Sequence, residues 1–149
     1  MTAVSLVGEA DLDELLPLMR GYSDFYEVTP TDEALLTLSR ALIADPQREG
    51  QQFLARDGDG KAIGFATVYW LWSTTSATRI GLMNDLFVAP EGRGSGAAEA
   101  LIERCRAACR ERGASKLTWK TAKDNARAQA VYDRIGGKRE EWLDYSLDA

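Results

Sequence analysis

The spacing of apolar and polar residues changes several times along the chain, and each change predicts an element. Alternating or continuous apolar runs predict strands, whereas apolar residues three and four positions apart predict amphipathic helices. The predicted strands are 2–7, 52–56, 62–72, 80–88, 116–121 and 141–147. The predicted helices are 11–21, 32–44, 96–112 and 125–135. Strands and helices therefore mix along the chain, as in an α/β or α+β protein.

Short polar signals predict where the first two helices begin and end. Asp11, with Glu14 three residues later, has the spacing of a capping box. Gly21 is a natural place for that helix to end, so 22–29 is expected to be a bent helix end or a loop. Thr31 is expected to cap the second helix through its hydroxyl.

One predicted strand, 80–88, combines a nearly continuous apolar run with two polar residues. The run is typical of a central strand covered on both faces, yet it contains Asn84 and Asp85. Asp85 is a candidate for general-base chemistry. The alternative is a purely structural role, in which its carboxylate bonds a neighbouring backbone group or an arginine.

Composition excludes several kinds of chemistry. The chain of 149 residues has no histidine, which excludes Ser/His and Cys/His catalysis and His-ligated zinc. Its two cysteines, Cys105 and Cys109, lie four apart in an apolar helical pattern and are expected to be small core residues rather than a disulfide. We expect no metal site.

Charge is distributed unevenly along the chain. The net charge is −5, but 91–139 carries 12 basic and 6 acidic residues, while the flanking segments are acidic. A basic block favours a polyanionic ligand and an acidic remainder favours a cationic one. The overall acidity argues against nucleic acid as a partner, and the absence of a long apolar run argues against a membrane. A cytoplasmic location is expected.

The most informative stretch is the glycine-rich turn between the 80–88 strand and the helix that follows. It reads Val-Ala-Pro-Glu-Gly-Arg-Gly-Ser-Gly-Ala-Ala from Val88 to Ala98. Small residues allow a ligand to approach the backbone closely, and the N–H groups at a helix N-terminus attract phosphate. The turn lacks the Gly-Lys-Ser/Thr of a Walker loop, and it comes too late in the chain for a dinucleotide fingerprint.

Two motifs together resemble the GNAT acetyltransferases. The first, Arg/Gln-x-x-Gly-x-Gly/Ala after a strand ending Val-x-Pro, is read here as Arg93, Gly96 and Ala98. The second, Asn-x-x-Ala-x-x-x-Tyr-x-x-x-Gly, runs from Asn125 through Tyr132 to Gly136. Gly137 departs from the pattern, because relatives usually have Phe there. The stretch 82–88 and the ending Asp-Tyr-Ser-Leu look like small-amine and histone-type members.

The resemblance implies one acetyl-CoA-dependent N-acetyltransferase domain over 1–149. The implied fold is a mixed, mostly antiparallel central sheet flanked by about four helices, with a splayed central strand pair. Acetyl-CoA is the implied co-substrate. The residues that the resemblance places along it are Leu86, Phe87, Val88, Arg93, Gly94, Ser95, Gly96, Ala97, Ala98 and Asn125.

The resemblance also implies roles in catalysis. Tyr132 is expected to protonate the departing thiolate, and the Val88 N–H to bind the carbonyl oxygen. Asp85 is our candidate base, with Asn84 orienting it. The residues expected to contact the acceptor are Tyr22, Phe25, Tyr26, Glu27, Trp70, Asn84 and Asp85. Trp72 and Tyr145 also lie in elements that line the acceptor groove in relatives.

The function expected from these residues is acetyl transfer to a primary amine of a small cationic molecule or peptide, by an enzyme that could form a homodimer. A non-catalytic acyl-CoA-binding module is the main alternative, since it would keep Arg93 to Ala98 without needing Tyr132. A nucleotide-binding regulatory domain is the third reading.

Overall fold

A five-stranded sheet organises residues 2–149, which the computed structural model describes. The strands are β1 (Ala3–Leu6), β2 (Gly50–Arg56), β3 (Ala62–Ser73), β4 (Thr78–Val88) and β5 (Leu117–Thr118). Their order in space is their order in the chain. The first four are antiparallel neighbours and β5 runs parallel to β4, so the predicted mixed, mostly antiparallel sheet is confirmed.

Four α-helices cover the sheet, close to the predicted positions. They are α1 (Leu12–Phe25), α2 (Asp32–Ala44), α3 (Ala97–Arg112) and α4 (Ala126–Arg134). Thr31 caps α2 as predicted, because its side chain accepts a hydrogen bond from the Ala34 N–H at 3.1 Å. The apolar period thus predicts these helices, and for α2 the predicted cap also sets where the helix begins.

The beginning and end of α1 differ from the prediction. Asp11 does not cap α1 through its side chain; its carboxylate accepts the Gly8 N–H at 2.8 Å and pairs with Arg56. The helix also continues through Gly21 to Phe25, so the loop predicted at 22–29 begins later. A Cβ on Gly21 would lie 2.8 Å from the ring of Phe87. This glycine thus serves close packing of α1 on β4 rather than helix termination.

Apolar side chains fill both faces of the sheet. One face packs against α3 through a cluster that includes Phe53, Val68, Met83 and Leu101. The other packs against α1 through Leu15, Met19, Leu54 and Phe65. Cys105 and Cys109 are free and buried in α3, as expected of core residues.

The strands β4 and β5 are paired over only two residues. Gly81 pairs with Leu117 and Leu82 with Thr118, after which β4 continues to Val88 paired with β3 only. Beyond Leu82, one edge of β4 is therefore left without a strand partner. This is the splayed strand pair implied by the family resemblance.

A β-bulge interrupts β4 at its two polar residues. Thr67 of β3 pairs with Asp85 and Val68 pairs with Met83, which leaves Asn84 as an extra residue. Met83 belongs to the cluster under α3. Strict alternation would place Asp85 on that same face, so the extra residue turns Asp85 toward α1 instead.

The strand predicted at 141–147 does not form, and β5 is shorter than predicted. Residues 138–149 have no regular secondary structure, and Trp142, Tyr145 and Leu147 are 81%, 90% and 98% exposed. The segment alternates like a strand, but alternation alone does not provide a neighbouring strand. Asp144 pairs with Lys120 at 3.0 Å, just beyond β5.

Within residues 2–149, no helix combines the length and apolar character that a membrane crossing needs.

Candidate active site

A groove of about 770 Å³ opens where β4 and β5 separate. Its floor is the end of β4, and its walls are the C-terminal part of α1, the turn before α3, and α4. The groove therefore brings together segments that lie more than 100 residues apart in the sequence, from Tyr22 to Tyr132.

The turn before α3 presents backbone N–H groups to one end of the groove. Gly94 and Gly96 have φ of 79° and 86°, a left-handed conformation that favours glycine. Helical pairing begins with the Ala100 N–H, which donates to the Gly96 carbonyl at 3.0 Å. Across the described residues no side chain caps this end of α3, and Gly96, Ala97 and Ala98 line the groove there. Uncapped N–H groups at a helix N-terminus can bind an anion.

The exposed edge of β4 supplies another donor. The Ala89 N–H donates to the Ile63 carbonyl of β3 at 2.8 Å. Successive N–H groups in extended backbone point to opposite sides. The Val88 N–H therefore points away from β3, into the gap that β5 leaves.

The α4 wall carries an aromatic hydroxyl into the groove. Asn125 caps α4, its side chain accepting the Ala128 N–H at 3.2 Å. One α4 residue, Tyr132, packs edge-to-face on Trp119, with ring centroids 5.3 Å apart. Burial, and to a smaller degree nearby Tyr26, raises the pKa of Tyr132 above its usual value. The phenol therefore keeps its proton at neutral pH.

Three aromatic rings at the end of α1 form the opposite end of the groove. The rings of Tyr22 and Tyr26 lie 5.0 Å apart, and those of Phe25 and Tyr26 lie 5.1 Å apart. The Tyr22 hydroxyl donates to the Asn84 carbonyl at 3.1 Å and ties α1 to the bulge. Phe25 and Tyr26 are 62% and 53% exposed, so their faces remain open to a ligand.

Asp85 lies behind the groove surface, among uncharged partners. The Asn84 side-chain amide donates to its carboxylate at 3.1 Å. Thr67 is its register partner on β3, and the Tyr22 hydroxyl, which donates to the Asn84 carbonyl, lies close by. Burial raises the pKa of Asp85 above the usual value of an aspartate, and these neighbours offset only part of that rise. A raised pKa brings a carboxylate closer to the range useful for a base at neutral pH.

Charge divides the groove into two ends. The cations in its lining, Arg93, Lys120, Arg127 and Arg134, belong to the turn, the segment after β5 and α4. Arg134 pairs with Glu99 in the first turn of α3 and so ties α4 to that helix. The α1 end is aromatic, with the Asp85 carboxylate behind it. One end thus suits an anion and the other a cation.

The structure brings most of the predicted site residues together. Those that line the groove are Tyr22, Phe25, Tyr26, Asn84, Leu86, Phe87, Val88, Arg93, Gly94, Gly96, Ala97, Ala98, Asn125 and Tyr132. Ser95 lies in the turn, but its hydroxyl donates to the Gly92 carbonyl rather than facing the groove.

Three of the residues expected near the acceptor, Trp70, Trp72 and Glu27, lie outside the groove lining. Trp70 is 5% exposed and pairs with Gly81, at the other end of β4; its indole N–H donates to the Pro46 carbonyl at 2.9 Å. Glu27 is exposed in the α1–α2 connection, outside the groove lining. The Arg79 guanidinium lies over the Trp72 ring, 4.6 Å from its centroid. Trp70 is thus buried away from the groove, and the structure does not bring Glu27 or Trp72 together with the other predicted acceptor contacts.

Sequence reasoning missed several groove residues. They are Met83, Gly92, Glu99, Trp119, Lys120, Thr121, Arg127, Ala128, Ala130, Val131 and Arg134. Arg127 and Arg134 are seven positions apart on α4 and so share one helix face. That spacing, within the basic block, was the signal that could have found them.

Comparison with known proteins agrees with this geometry. Residues 15–137 match the Acetyltransferase (GNAT) family. The D-amino-acid N-acetyltransferase HPA3 of Saccharomyces cerevisiae is 31% identical over 128 residues, which are 85% of this chain and 78% of that protein. The aminoglycoside N(6')-acetyltransferase type 1 of Stenotrophomonas maltophilia is 30% identical over 117 residues, 76% and 74% of the two chains.

A solved structure, described as that of a probable acetyltransferase, superimposes with a TM-score of 0.86 at 26% identity and covers 99% of this chain and 97% of its own. The chain therefore belongs to the GNAT family of acetyltransferases. It is an N-acetyltransferase that takes acetyl-CoA as its co-substrate and transfers acetyl to an amine.

The raised pKa of Asp85 predicts a stability gain in Asp85→Asn. The folded protein disfavours the carboxylate, so at about pH 7.5 the variant should have the larger free energy of unfolding. The difference should shrink as the pH falls, because protonation removes the penalty on the carboxylate first in the folded and then in the unfolded chain. Urea unfolding at several pH values measures it. Asp59→Asn, in an exposed turn, is the control and should match wild type throughout. A pH-independent difference for Asp85→Asn would contradict the prediction.

Proposed function

We propose that residues 1–149 act as one domain that moves acetyl directly from acetyl-CoA to a primary amine of a small cationic molecule or peptide. The carrying observation is a single groove that joins an anion-binding turn to an aromatic end beside a carboxylate. The free edge of β4 lies between them. Both substrates can therefore meet without a covalent intermediate on the enzyme.

The turn fits the coenzyme pyrophosphate. A Cβ on Gly94 or Gly96 would meet nothing within 4 Å, so the backbone there faces open space. We assign the pyrophosphate to the N–H groups from Arg93 to Ala98, with Ser95 holding the turn internally through Gly92. Leu86 to Val88 would follow the pantetheine arm, with Asn125 and α4 on its other side.

Acetyl-CoA supplies an acetyl group activated as a thioester. The Val88 N–H, which points into the strand gap, would donate to the carbonyl oxygen as negative charge develops on it. A preformed backbone donor needs no reorganisation during the reaction. The new C–N bond forms as the C–S bond breaks, and one proton must leave the amine while another reaches sulfur.

A base is needed because an amine of pKa about 10.4 is neutral only about once in 10³ to 10⁴ molecules at pH 7. Attack by the neutral amine therefore carries a free-energy penalty of roughly 4 to 5 kcal/mol. We assign Asp85, acting through water, to accept the amine proton, with Asn84 orienting its carboxylate at 3.1 Å. Its location behind Tyr22 and Asn84 is why a water is included in this route.

Tyr132 is assigned as the proton donor to the thiolate. Its hydroxyl stays protonated at neutral pH, because burial raises its pKa, and it lines the same groove as Val88. The packing of its ring on Trp119 fixes where the hydroxyl lies. A protein that only bound acyl-CoA would not need this group.

A cationic acceptor is supported by the α1 end of the groove. Exposed aromatic faces such as Phe25 and Tyr26 attract ammonium groups, and the carboxylate of Asp85 adds a negative field. The two relatives named above are described as acting on an aminoglycoside and on D-amino acids, respectively. The first is the closer analogue of the small cationic acceptor that we propose.

We also propose that the protein is a homodimer and acts in the cytoplasm. The outer edge of β5 has no strand beside it in residues 2–149. The strand-like segment 141–147 leaves Tyr145 and Leu147 almost fully exposed. A second copy's segment could add to this edge and cover both. Free, buried Cys105 and Cys109 suit a reducing compartment.

Acetyl-CoA should raise the melting temperature of the wild type, with a stabilisation of about 2.7 kcal/mol at one hundred times its Kd. Gly96→Glu should remove that shift, since its side chain would enter the groove and repel phosphate. Gly113→Glu is the matched control, because Gly113 has a φ of 71° and open space at the other end of α3. Equal melting-temperature shifts in both variants, or a shift with ATP alone, would overturn the placement of acetyl-CoA at this turn.

Tyr132→Phe should keep acetyl-CoA binding and lower kcat by roughly ten- to a thousandfold, because one proton donor is lost while the ring remains. Free-thiol detection at saturating acetyl-CoA measures the rate. Tyr145→Phe removes an exposed hydroxyl outside the groove and should have no effect. A kcat for Tyr132→Phe within twofold of wild type would assign Tyr132 to packing only.

The acceptor class can be tested with 1,5-diaminopentane and D-lysine, which have the same chain length but differ by a carboxylate. The diamine should have the higher kcat/KM. Its kcat/KM should fall between about 0.05 and 0.5 M salt, as the Debye length contracts. Preference for D-lysine, with no salt effect on the diamine, would show that the acidic charge does not select the acceptor.

The dimer predicts that light scattering after gel filtration finds twice the 16.4 kDa chain mass. The double variant Tyr145→Asp, Leu147→Asp should be monomeric, because burying two carboxylates at an interface is costly. Trp72→Asp changes a 70% exposed aromatic elsewhere and should remain dimeric. A wild-type monomer at micromolar concentration would contradict the proposal.

A further inference from the structure

Three polar side chains form a row across the centre of the sheet, on the face covered by α1. Gln52 of β2 pairs in register with Thr67 of β3, and Thr67 pairs with Asp85 of β4. Gln52 and Thr67 are 3% and 0% exposed. The parallel row two residues along each strand, Leu54, Phe65 and Phe87, is entirely apolar. The polar row is therefore a specific departure from an otherwise apolar face.

Hydrogen bonding along this row has a direction. The Gln52 amide nitrogen, which can only donate, lies 3.1 Å from the Thr67 hydroxyl oxygen. Thr67 must therefore accept at this contact, which leaves its single hydroxyl proton available to Asp85, its register partner on β4. The amide of Gln52 thus determines where the Thr67 proton points.

The far end of the row is not optimised for stability. The second N–H of the Gln52 amide is directed to the sulfur of Met19 at 3.8 Å, a weak acceptor. Among the described residues, its carbonyl oxygen is buried without a hydrogen-bond partner. Apolar residues at 52 and 67 would avoid this cost. The row does, however, place the Thr67 hydroxyl beside Asp85 as a hydrogen-bond donor.

We propose that Gln52 and Thr67 are positioning residues, which hold the Asp85 carboxylate in the orientation and ionisation state that the reaction uses. The inference rests on the role of Asp85 in the proposed function. Neither Gln52 nor Thr67 lines the groove, so neither touches a substrate. They act on the chemistry only through Asp85.

The groups around Asp85 set the direction of the effect. Tyr22 faces it from α1, Thr67 and Tyr69 from β3, and Asn84 from β4. All four are uncharged at neutral pH, and burial raises the pKa of Tyr69 to about 12. Burial raises the pKa of Asp85, while the Thr67 hydroxyl lowers it. Removing that hydroxyl must raise the pKa of Asp85 further.

The first test is the titration of Asp85 itself, measured by carbon NMR on protein labelled at the aspartate carboxyls. Asp85→Asn identifies the signal. Thr67→Val, which keeps the side-chain shape, should raise the midpoint by about one pH unit, the change typical for loss of one hydrogen bond to a carboxylate. Thr67→Ser restores the hydroxyl and should restore the midpoint. An unchanged midpoint in Thr67→Val overturns the proposal.

Two further variants provide a second test of the proposal and a control. Gln52→Met removes the amide that orients Thr67 and should move the midpoint in the same direction; it decides the question if Thr67→Val does not fold. Ser39→Ala is the control, because Ser39 is 0% exposed and contacts Met19 but lies outside the row. An equal shift in Ser39→Ala would show a general loosening of the core and would also overturn the proposal.

The pH dependence of kcat/KM separates this inference from the proposed function. In Thr67→Val the acidic limb should move to higher pH by as much as the NMR midpoint does, which lowers kcat/KM about tenfold at a fixed pH below the limb. Affinity for acetyl-CoA should stay unchanged. The NMR midpoint could move while Asp85→Asn keeps the acidic limb of the wild type. Asp85 would then not be the base, and the proposed function would fail at that residue. The inference that Gln52 and Thr67 position the Asp85 carboxylate would still be supported.

Discussion

The extra residue in β4 is the constraint on which the site depends. Side chains alternate along a strand, so one inserted residue reverses the face of every residue beyond it. At Asn84 this reversal separates Met83, packed under α3, from Asp85, which faces α1. Phe87 then falls under α1, against the space left by Gly21. Without the bulge, a carboxylate would be buried in the apolar cluster under α3.

The separation of β4 from β5 complements the bulge. A parallel pair held over only two residues leaves the rest of β4 with unused backbone donors, which in a closed sheet would bond a neighbouring strand instead of a ligand. The same gap admits side chains from α1 and α4 to opposite sides of one cleft. Backbone geometry thus creates the cleft, and the side chains distinguish its two ends.

Much of this could be read from the sequence because the signals were local. The glycine turn, the Thr31 cap and the run around Asn84 and Asp85 each predicted their own local structure. The features that escaped prediction depend on partners distant in sequence. Gly21 does not end α1, because Phe87 packs on it. Asp11 does not cap α1, because its carboxylate accepts the Gly8 N–H and pairs with Arg56.

The same limit applies to the site residues and to the last predicted strand. Trp70 is aromatic and lies in a strand beside the site, but only its register with Gly81 shows that it is far from the groove. The 141–147 segment has a strand's alternation, whereas its partner is not determined by its own residues. The Gln52–Thr67–Asp85 row is invisible in sequence, since three strands must first be aligned.

The walls of the groove are held with very different strength. Helix α3 buries six residues, including Leu101 and Cys105, whereas α4 buries none completely and is joined to α3 by the exposed Arg134–Glu99 pair. Local opening costs least where buried apolar contact is smallest. The amides of α4 should therefore exchange with solvent much faster than those of α3. A ligand in the groove would therefore contact one firmly packed wall, α3, and one lightly packed wall, α4.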